Sequence, residues 1–305
     1  MSVSIILSAI ELGLFYALLT LGLFISYRIL DIPDLTVDGS FTLGAAAAVG
    51  WGHPILALVV AAIVGMLAGG VTATLQTKFK VNPILSGILT MTALYSINIM
   101  IMDDKPNISL LGETTIFTMV KEILGGNMSG MMIGVLSVVI ICIIALGLFL
   151  YTKLGLSIRA TGDNEDMVRS SSINVDAMKI IGLALANALV AVSGTLIAQK
   201  QSFADVSMGT VMVVIGIASL IIGEVLVDIV VKQRGIKANI VAAVIGSIIY
   251  RLIISAALAV NISATSMKLV SAIIVAIAIS YPVIKSMVGQ KINQYQRQKG
   301  GSIDA

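Results

Sequence analysis

The stretch that decides the fold is MIGVLSVVIICIIALGLFLYTKLGLSIRATGDNEDMVRSSSINV, which covers residues 132–175. Its first half is an apolar run with the length of a membrane helix, since a bilayer core about 30 Å thick needs roughly 20 apolar residues. Its second half is charged, and a charge at the bilayer centre costs about 2.5 to 3.5 kcal/mol, so this half must lie outside the hydrocarbon. Within 155–175 the charged side chains are Arg159, Asp163, Glu165, Asp166 and Arg169.

The whole chain has the composition of a membrane protein. Of its 305 residues, 58% are hydrophobic and 11% are charged, and the mean hydropathy is +1.05, which excludes an ordinary soluble protein. The apolar blocks lack the alternation of apolar and polar residues that a β-barrel requires, so we expect an all-α, polytopic membrane protein. The blocks lie near residues 5–28, 40–50, 54–77, 83–102, 131–152, 178–199, 209–231, 238–259 and 268–288.

The sequence predicts nine or ten transmembrane helices. The block at 40–50 is too short to span a bilayer alone, and a further segment at 107–124 is interrupted by charged residues. Basic residues in short loops mark the cytoplasmic side, and applying this rule to Lys78 and Lys80 gives about nine crossings with the N-terminus outside. A crossing at 107–124 would instead put both termini inside. We expect a single transmembrane domain over residues 1–305.

Small residues at helical spacing predict close helix contacts. Ala61, Gly65 and Gly69 form an AxxxGxxxG face, and such faces let two helices approach closely in a membrane. The partner of this face is either another helix of the same chain or a second copy in a dimer seam.

A weak internal similarity indicates two halves of similar build. Residues 80–96 can be laid against 237–252, and residues 34–40 against 205–210. Transporters are often built from such repeats. The alternative is chance similarity between helices that are all rich in Ala, Ile and Gly.

The charged segment predicts a short amphipathic helix from about Asn164 to Ser172. Gly162 ends the preceding element, and Asp163 or Asn164 can cap the new helix. Two acidic residues then fall in its first turn, where the helix dipole favours negative charge, and an apolar flank follows. This helix is either a solvated connector or a docking element for a cytoplasmic partner. The acidic pair is Glu165 and Asp166, and the apolar flank is Met167, Val168 and Ile173.

The order of residues resembles the cytoplasmic segment of ATP-binding cassette (ABC) importer permeases of the ribose and branched-chain amino acid group. The resemblance rests on TKLGLSIRATGDNEDMVRSSSINVDAMKI at 152–180, ILDIPDLTVDGSFTLGAAAAV at 29–49, TLQTKFKVNPILSGILTMTAL at 74–94 and VIGIASLIIGE at 214–224. Two positions depart from the group. Ser172 stands where the group usually has Gly, and Glu224 follows a single Gly.

The resemblance implies about ten transmembrane helices per subunit in a bacterial plasma membrane. It also implies a second permease subunit in a homodimer, two cytoplasmic ATP-binding subunits and an extracellular solute-binding protein. Residues 153–178 would form the cytoplasmic coupling segment that an ATP-binding subunit grips. The coupling residues would be Gly162, Asp163, Asn164, Glu165, Asp166, Met167 and Arg169. A similarity to permeases that serve aromatic amino acids favours an amino acid or a related small solute.

The chain itself shows no signature of an enzyme. It has no GxxxxGK[ST] phosphate loop, so ATP with magnesium is expected in the partner subunit and no cofactor in this chain. Its one histidine, His53, has no companion at metal-ligand spacing, and a catalytic triad cannot be assembled around it. We expect contact with membrane lipid and none with nucleic acid.

Polar residues inside apolar blocks are the candidates for a solute pathway. One group lies where a short helix begins, and a broken helix at membrane depth could present its N–H groups to an anionic or zwitterionic solute. The alternative is that Asp34 or Asp38 simply caps this helix near a membrane surface. The candidates are Asp34, Thr36, Asp38, Ser40, Asn98 and Asn187.

Two other functions remain open on the sequence. A secondary transporter driven by a proton or sodium gradient would need a buried carboxylate for the coupling ion, and the Asp34 and Asp38 region could supply one. A membrane scaffold or receptor has no specific support.

Overall fold

The computed structural model describes residues 3–123, 128–230, 235–260 and 269–278, together with Ser266 and Ser280. Helix α1 continues directly into a π-helical stretch, Phe24–Ile29, and two three-residue strands pair antiparallel. The helices are α1 Val3–Leu23, α2 Thr36–Gly50, α3 Pro54–Thr77, α4 Pro83–Ile101, α5 Ile116–Ile123, α6 Met128–Leu150, α7 Lys153–Asp163, α8 Glu165–Ser170, α9 Val175–Gln201, α10 Met212–Val230, α11 Ile236–Ala259 and α12 Leu269–Ala278. The strands are β1 Asn107–Ser109 and β2 Phe203–Asp205.

The prediction of a polytopic helical membrane protein is confirmed. Five helices of the described chain are long and apolar enough to cross a bilayer, and a sixth candidate is a pair of helices bent by 74°. The five are Ser4–Ile29, Pro54–Thr77, Pro83–Ile101, Val175–Gln201 and Ile236–Ala259, and the bent pair is Leu136–Leu150 with Lys153–Asp163. Helices α6 and α10 have comparable lengths of 23 and 19 residues.

Helix α9 is the axis of the bundle. Helix α3 packs antiparallel to it, because Gly65 faces Asn187 and Gly69 faces Leu183 one turn towards the start of α9. Helix α1 is also antiparallel to α9, since the Glu11 carboxylate meets the Lys200 ammonium 2.7 Å away at the end of α9. The bundle therefore has two ends. We name them the α8 end, where α7 and α8 lie, and the strand end, where β1 and β2 pair.

Small residues allow these helices to pack closely. A side chain at Gly65 or Gly69 would collide with the backbone of α9, and Ala61 packs against Ala191 in the same seam. The predicted AxxxGxxxG face therefore packs within the chain. Such close backbone approach is how helices associate in lipid, where apolar burial supplies little drive.

Two helices begin halfway through the bundle. Helix α2 starts beside Asn187 at the middle of α9 and runs parallel to α9 towards the strand end, with Gly44 against Ala191. Helix α10 starts at the same depth, where Val211 and Val213 donate backbone hydrogen bonds to Asp38. It runs the opposite way and reaches Glu224 at the α8 end, where the π-helical stretch of α1 also finishes.

The two half-length helices belong to an inverted repeat. Helices α1, α2 and α3 correspond to α9, α10 and α11, with every direction reversed and with the same neighbours in contact. The predicted similarity between 34–40 and 205–210 falls on the two segments that lead into α2 and α10. The similarity between 80–96 and 237–252 is not part of this repeat, because α4 and α11 both run from the α8 end to the strand end.

We predict that Gly69→Ala and Gly70→Ala have opposite effects on stability. Both changes remove a helix-interior glycine, which favours the helix by roughly 0.5 to 1 kcal/mol. A Cβ at Gly69 meets the backbone of Leu183, whereas one at Gly70 meets open space. Overpacking of this kind costs about 1 to 3 kcal/mol. In detergent, thermal unfolding should therefore show a lower midpoint for Gly69→Ala and an unchanged or higher one for Gly70→Ala. Equal midpoints for the two variants would contradict the α3–α9 contact.

Candidate functional site

The bend between α6 and α7 places α7 across the α8 end of the bundle. Gly155 fits against the backbone of Phe149 and Leu150 at this bend, and Gly162 lies on the carbonyl oxygen of Ile29. Neither position has room for a Cβ. The sequence predicted that Gly162 ends an element. Instead, it lies within the last turn of α7 and holds that turn against the end of the π-helical stretch.

Asn164 is the cap of α8. Its backbone is extended, and its Oδ1 accepts a hydrogen bond from the backbone N–H of Met167 at 3.0 Å. Asp163 is the last residue of α7 and not the cap. Helix α8 covers Glu165–Ser170, which is shorter than the predicted segment, because Ser172 adopts a left-handed conformation with φ 60°.

Ion pairs fix α8 against the first turns of α9. The Glu165 carboxylate contacts Lys179 and, at 4.0 Å, Arg169. The Arg169 guanidinium also lies 3.6 Å from Asp176. These pairs are partly exposed, so each contributes little to stability, but together they orient the helix.

The outer side of α8 is a compact exposed surface with both polar and apolar groups. Val168 is buried and anchors the helix, while the Met167 side chain is 56% exposed. We call the exposed residues Asn164, Glu165, Asp166, Met167 and Arg169 the coupling surface. The structure thus brings together five of the seven residues predicted for coupling, with Asp163 beside them and Gly162 supporting them from behind.

Three of the predicted pathway residues form one buried hydrogen-bonded group at the middle of α9. Asn187 Nδ2 donates to Asp34 Oδ2 at 2.7 Å, and the Ser40 hydroxyl donates to Asn187 Oδ1 at 2.7 Å. Asp34 Oδ1 also accepts from the backbone N–H of Thr36 at 2.9 Å. Asp34 therefore caps α2, as one reading of the sequence held, but it does so at mid-bundle depth.

The Thr36 side chain connects this group to a second set of hydroxyls. Its hydroxyl lies 2.7 Å from that of Thr72, which in turn donates to the Thr90 hydroxyl at 2.9 Å. All three are buried. This chain of hydroxyls joins α2, α3 and α4, and no sequence pattern marks Thr72 or Thr90.

The remaining two candidates, Asp38 and Asn98, line a half-open cavity of about 350 Å³. The cavity lies between α2, α4 and the segment that leads into α10. Its other lining residues are Gly39, Thr42, Met91, Thr92, Tyr95, Val206, Gly209 and Thr210. The candidates therefore fall into two places. Asp34, Ser40 and Asn187 form a buried hydrogen-bonded group that Thr36 adjoins, whereas Asp38 and Asn98 line the cavity.

A strained residue borders this cavity. Val211 has φ 72°, a conformation that is a clear outlier for a β-branched residue. Its N–H donates to Asp38 Oδ2 at 3.0 Å, and the N–H of Val213 donates to Asp38 Oδ1 at 2.8 Å. Strain of this kind persists where surrounding contacts enforce it, often at functional sites. Nothing in the sequence marks Val211.

Comparison with known proteins shows the family of this chain. Residues 5–280 match the family model described as the permease component of branched-chain amino acid transport systems. The chain is 39% identical to the tyrosine transport system permease protein of Clostridioides difficile, covering 88% of each chain. It is 33% identical to an uncharacterised protein of Rickettsia prowazekii, covering 91% of this chain and 97% of that one.

A more distant relative is the ribose import permease of Haemophilus influenzae, 26% identical over 81% of this chain and 75% of the relative. No solved structure matches this chain. The chain belongs to the branched-chain amino acid transport permease family. It is thus a multi-pass inner-membrane permease subunit of an ABC importer and not an enzyme. Members of this family work with ATP-binding and solute-binding partners.

Ser172 adopts a left-handed conformation with φ 60°, which favours glycine. A left-handed conformation costs a non-glycine residue roughly 1 to 2 kcal/mol. We predict that Ser172→Gly raises the thermal unfolding midpoint. Ser171→Gly, one residue earlier at φ −84°, should leave it unchanged or lower it. An equal shift in both variants would show that the left-handed turn is not the cause.

Proposed function

We propose that this chain forms the solute pathway of an ATP-driven importer for an amino acid, and that its coupling surface docks on a separate ATP-hydrolysing subunit. The observation that carries the proposal is the coupling surface itself. It is exposed, ion-paired into one orientation and fixed by Gly162 to the end of the first membrane helix. A mere connector between two membrane helices would need no such fixation.

The relatives favour an amino acid as the solute. The family description names branched-chain amino acids, and the relative with 39% identity is named for tyrosine. We therefore propose an amino acid, delivered at the strand end by an extracellular solute-binding protein.

We further propose nine membrane crossings with the N-terminus outside. Helix α5, in the segment 107–124, does not cross. Glu11 in the first half of α1 forms an ion pair with Lys200 at the end of α9, so the start of α1 and the end of α9 should lie on the same side of the membrane. Lys78 follows α3 at the α8 end, in agreement with the rule that basic residues lie inside. Helix α5 has eight residues, too few to span, and its Phe117 packs on Phe15 and Lys200 towards the strand end. The crossings are α1, α2 with the segment before it, α3, α4, α6, α9, α10 with the segment before it, α11 and the apolar block at 268–288, of which α12 is the described part.

The assembly we propose contains two copies of this chain and two ATP-hydrolysing subunits. ATP with magnesium would bind in those subunits and no cofactor in this one. Each copy would act as one transmembrane domain, residues 1–305, with the coupling segment 153–178 within it.

We predict that Met167→Asp uncouples the importer. Met167 is the large apolar side chain that α8 exposes, and a carboxylate there would have to be desolvated in an interface. The variant should no longer co-purify with the ATP-hydrolysing subunit. Its ATP-driven uptake in proteoliposomes should fall at least about tenfold. Ser171→Asp, also exposed and just beyond α8, is the matched control and should retain both activities.

The triple change of Asp163, Glu165 and Arg169 to Ala provides a second test. The protein should still insert, because these side chains are exposed, but ATP hydrolysis should no longer drive uptake. Uptake that runs on a proton gradient without nucleotide would contradict the proposal and favour a secondary transporter. Labelling of a cysteine placed at position 164 from outside intact cells would also contradict it.

A further inference from the structure

The cavity beside Asp38 has an unusual balance of hydrogen-bonding groups. Asn98 is buried, with 1% of its surface exposed, and its Nδ2 donates to the carbonyl oxygen of Gly39 at 3.2 Å. This contact fixes the orientation of the amide, since the opposite one would place two oxygens together. Asn98 Oδ1 then has no partner within the described chain. A buried acceptor without a donor is costly, and it indicates that something with a donor binds there.

Two hydroxyl groups of the wall already use their hydrogens elsewhere. The Thr42 hydroxyl donates to the carbonyl oxygen of Asp38 at 3.2 Å, and the Thr92 hydroxyl to that of Ile88 at 2.7 Å. Each hydroxyl has a single hydrogen, so neither can donate to the cavity, and Thr42 already accepts from the backbone N–H of Gly209 at 3.0 Å. The Asp38 carboxylate accepts backbone hydrogen bonds from Val211, Met212 and Val213, and because a carboxylate has about four lone-pair sites it keeps acceptor capacity for the cavity.

The charge of the wall points the same way. Asp38 is its acidic residue, and no Lys, Arg or His is among the residues that line the described cavity. A carboxylate beside an unpartnered amide oxygen is complementary to a cationic donor. An isolated carboxylate or phosphate of a ligand would meet acceptors instead.

We propose that this cavity binds the ammonium group of the transported solute between the Asp38 carboxylate and Asn98 Oδ1. The proposal rests on the proposed import function, and it makes the permease itself a filter for amino compounds. The Tyr95 and Thr210 hydroxyls make no hydrogen bond within the described chain and are left to donate to a solute carboxylate. Met91 and the Tyr95 ring border the space for an apolar side chain.

Ligand-observed NMR on the full-length protein in lipid nanodiscs tests this inference with three related probes. Tyramine carries the ammonium alone, 3-(4-hydroxyphenyl)propionate carries the carboxylate alone, and L-tyrosine carries both. We expect tyramine and L-tyrosine to bind and the propionate to bind at least about tenfold more weakly, as the loss of a charge-assisted hydrogen bond implies.

Variants then assign the binding to the cavity. Asn98→Leu should weaken tyramine binding about tenfold. Thr90→Val is the matched control, since Thr90 is buried on the same helix but hydrogen-bonds to Ser86 and Thr72, and it should leave binding unchanged. Asp38→Asn should weaken binding further, but Asn98→Leu is the decisive variant because Asp38 also holds α10.

Three outcomes would overturn the inference: no tyramine binding, propionate binding as tight as tyramine, or an unchanged affinity in Asn98→Leu. Stimulation of the ATP-hydrolysing subunit is measured on the same preparations. If stimulation persists without tyramine binding, this inference fails and the proposed function stands. If tyramine binds but no ATP-hydrolysing subunit docks, the proposed function fails.

Discussion

The structure depends on how backbone groups are satisfied where two helices begin halfway through an apolar bundle. A helix start leaves N–H groups without intrahelical partners, and hydrocarbon offers no water to replace them. Asp34 accepts from Thr36 at the start of α2, and Asp38 accepts from Val211 and Val213 at the start of α10. Two carboxylates four residues apart thus make both interrupted helices possible, and they do so across the two halves of an inverted repeat.

This constraint links the coupling surface to the cavity through packed elements. Helix α8 is ion-paired to α9, and Gly162 of α7 rests on Ile29 at the end of the first membrane helix. Beside Ile29, Arg28 Nε lies 3.0 Å from Glu224 on α10. Helix α10 then leads back to Val211 and Asp38 at the cavity. A displacement of the coupling surface would therefore act on the end of α10 that carries Glu224. The start of α10 lies beside the cavity.

The sequence predicted helix α8 and its cap nearly residue by residue because its signals are local. A capping Asn, acidic residues in the first turn and a charge pair four residues apart all act within one or two turns. The errors there, the role of Gly162 and the end of α8, are errors of boundary. Gly162 looks like a helix terminator in sequence, and only the position of Ile29, far away along the chain, shows that it is a contact surface.

The cavity could be predicted only in part, for a related reason. Asp38 and Asn98 stood out as polar residues in apolar blocks, but their partners come from segments that no local pattern joins to them. Val211 meets Asp38 across 173 residues, and its left-handed backbone has no signature in a β-branched side chain. The similarity between 80–96 and 237–252 misled because both are helices rich in small and branched apolar residues.

Helices α2, α3 and α9 form one tightly packed unit, and α10 and α11 form another. Helix α9 is tied to α2 and α3 by backbone contacts at glycines and by buried hydrogen bonds such as Thr195 to the Gly44 carbonyl at 2.7 Å. Helices α10 and α11 meet through Gly223 and Gly246, each against the backbone of the other helix. Between these two tight units, α2 contacts α10 sparsely, and Asp38 supplies the charged contact there. A solute donor that shares the lone pairs of Asp38 would therefore compete at the direct contact between α2 and α10, where a bound solute can alter the position of α10 relative to α2.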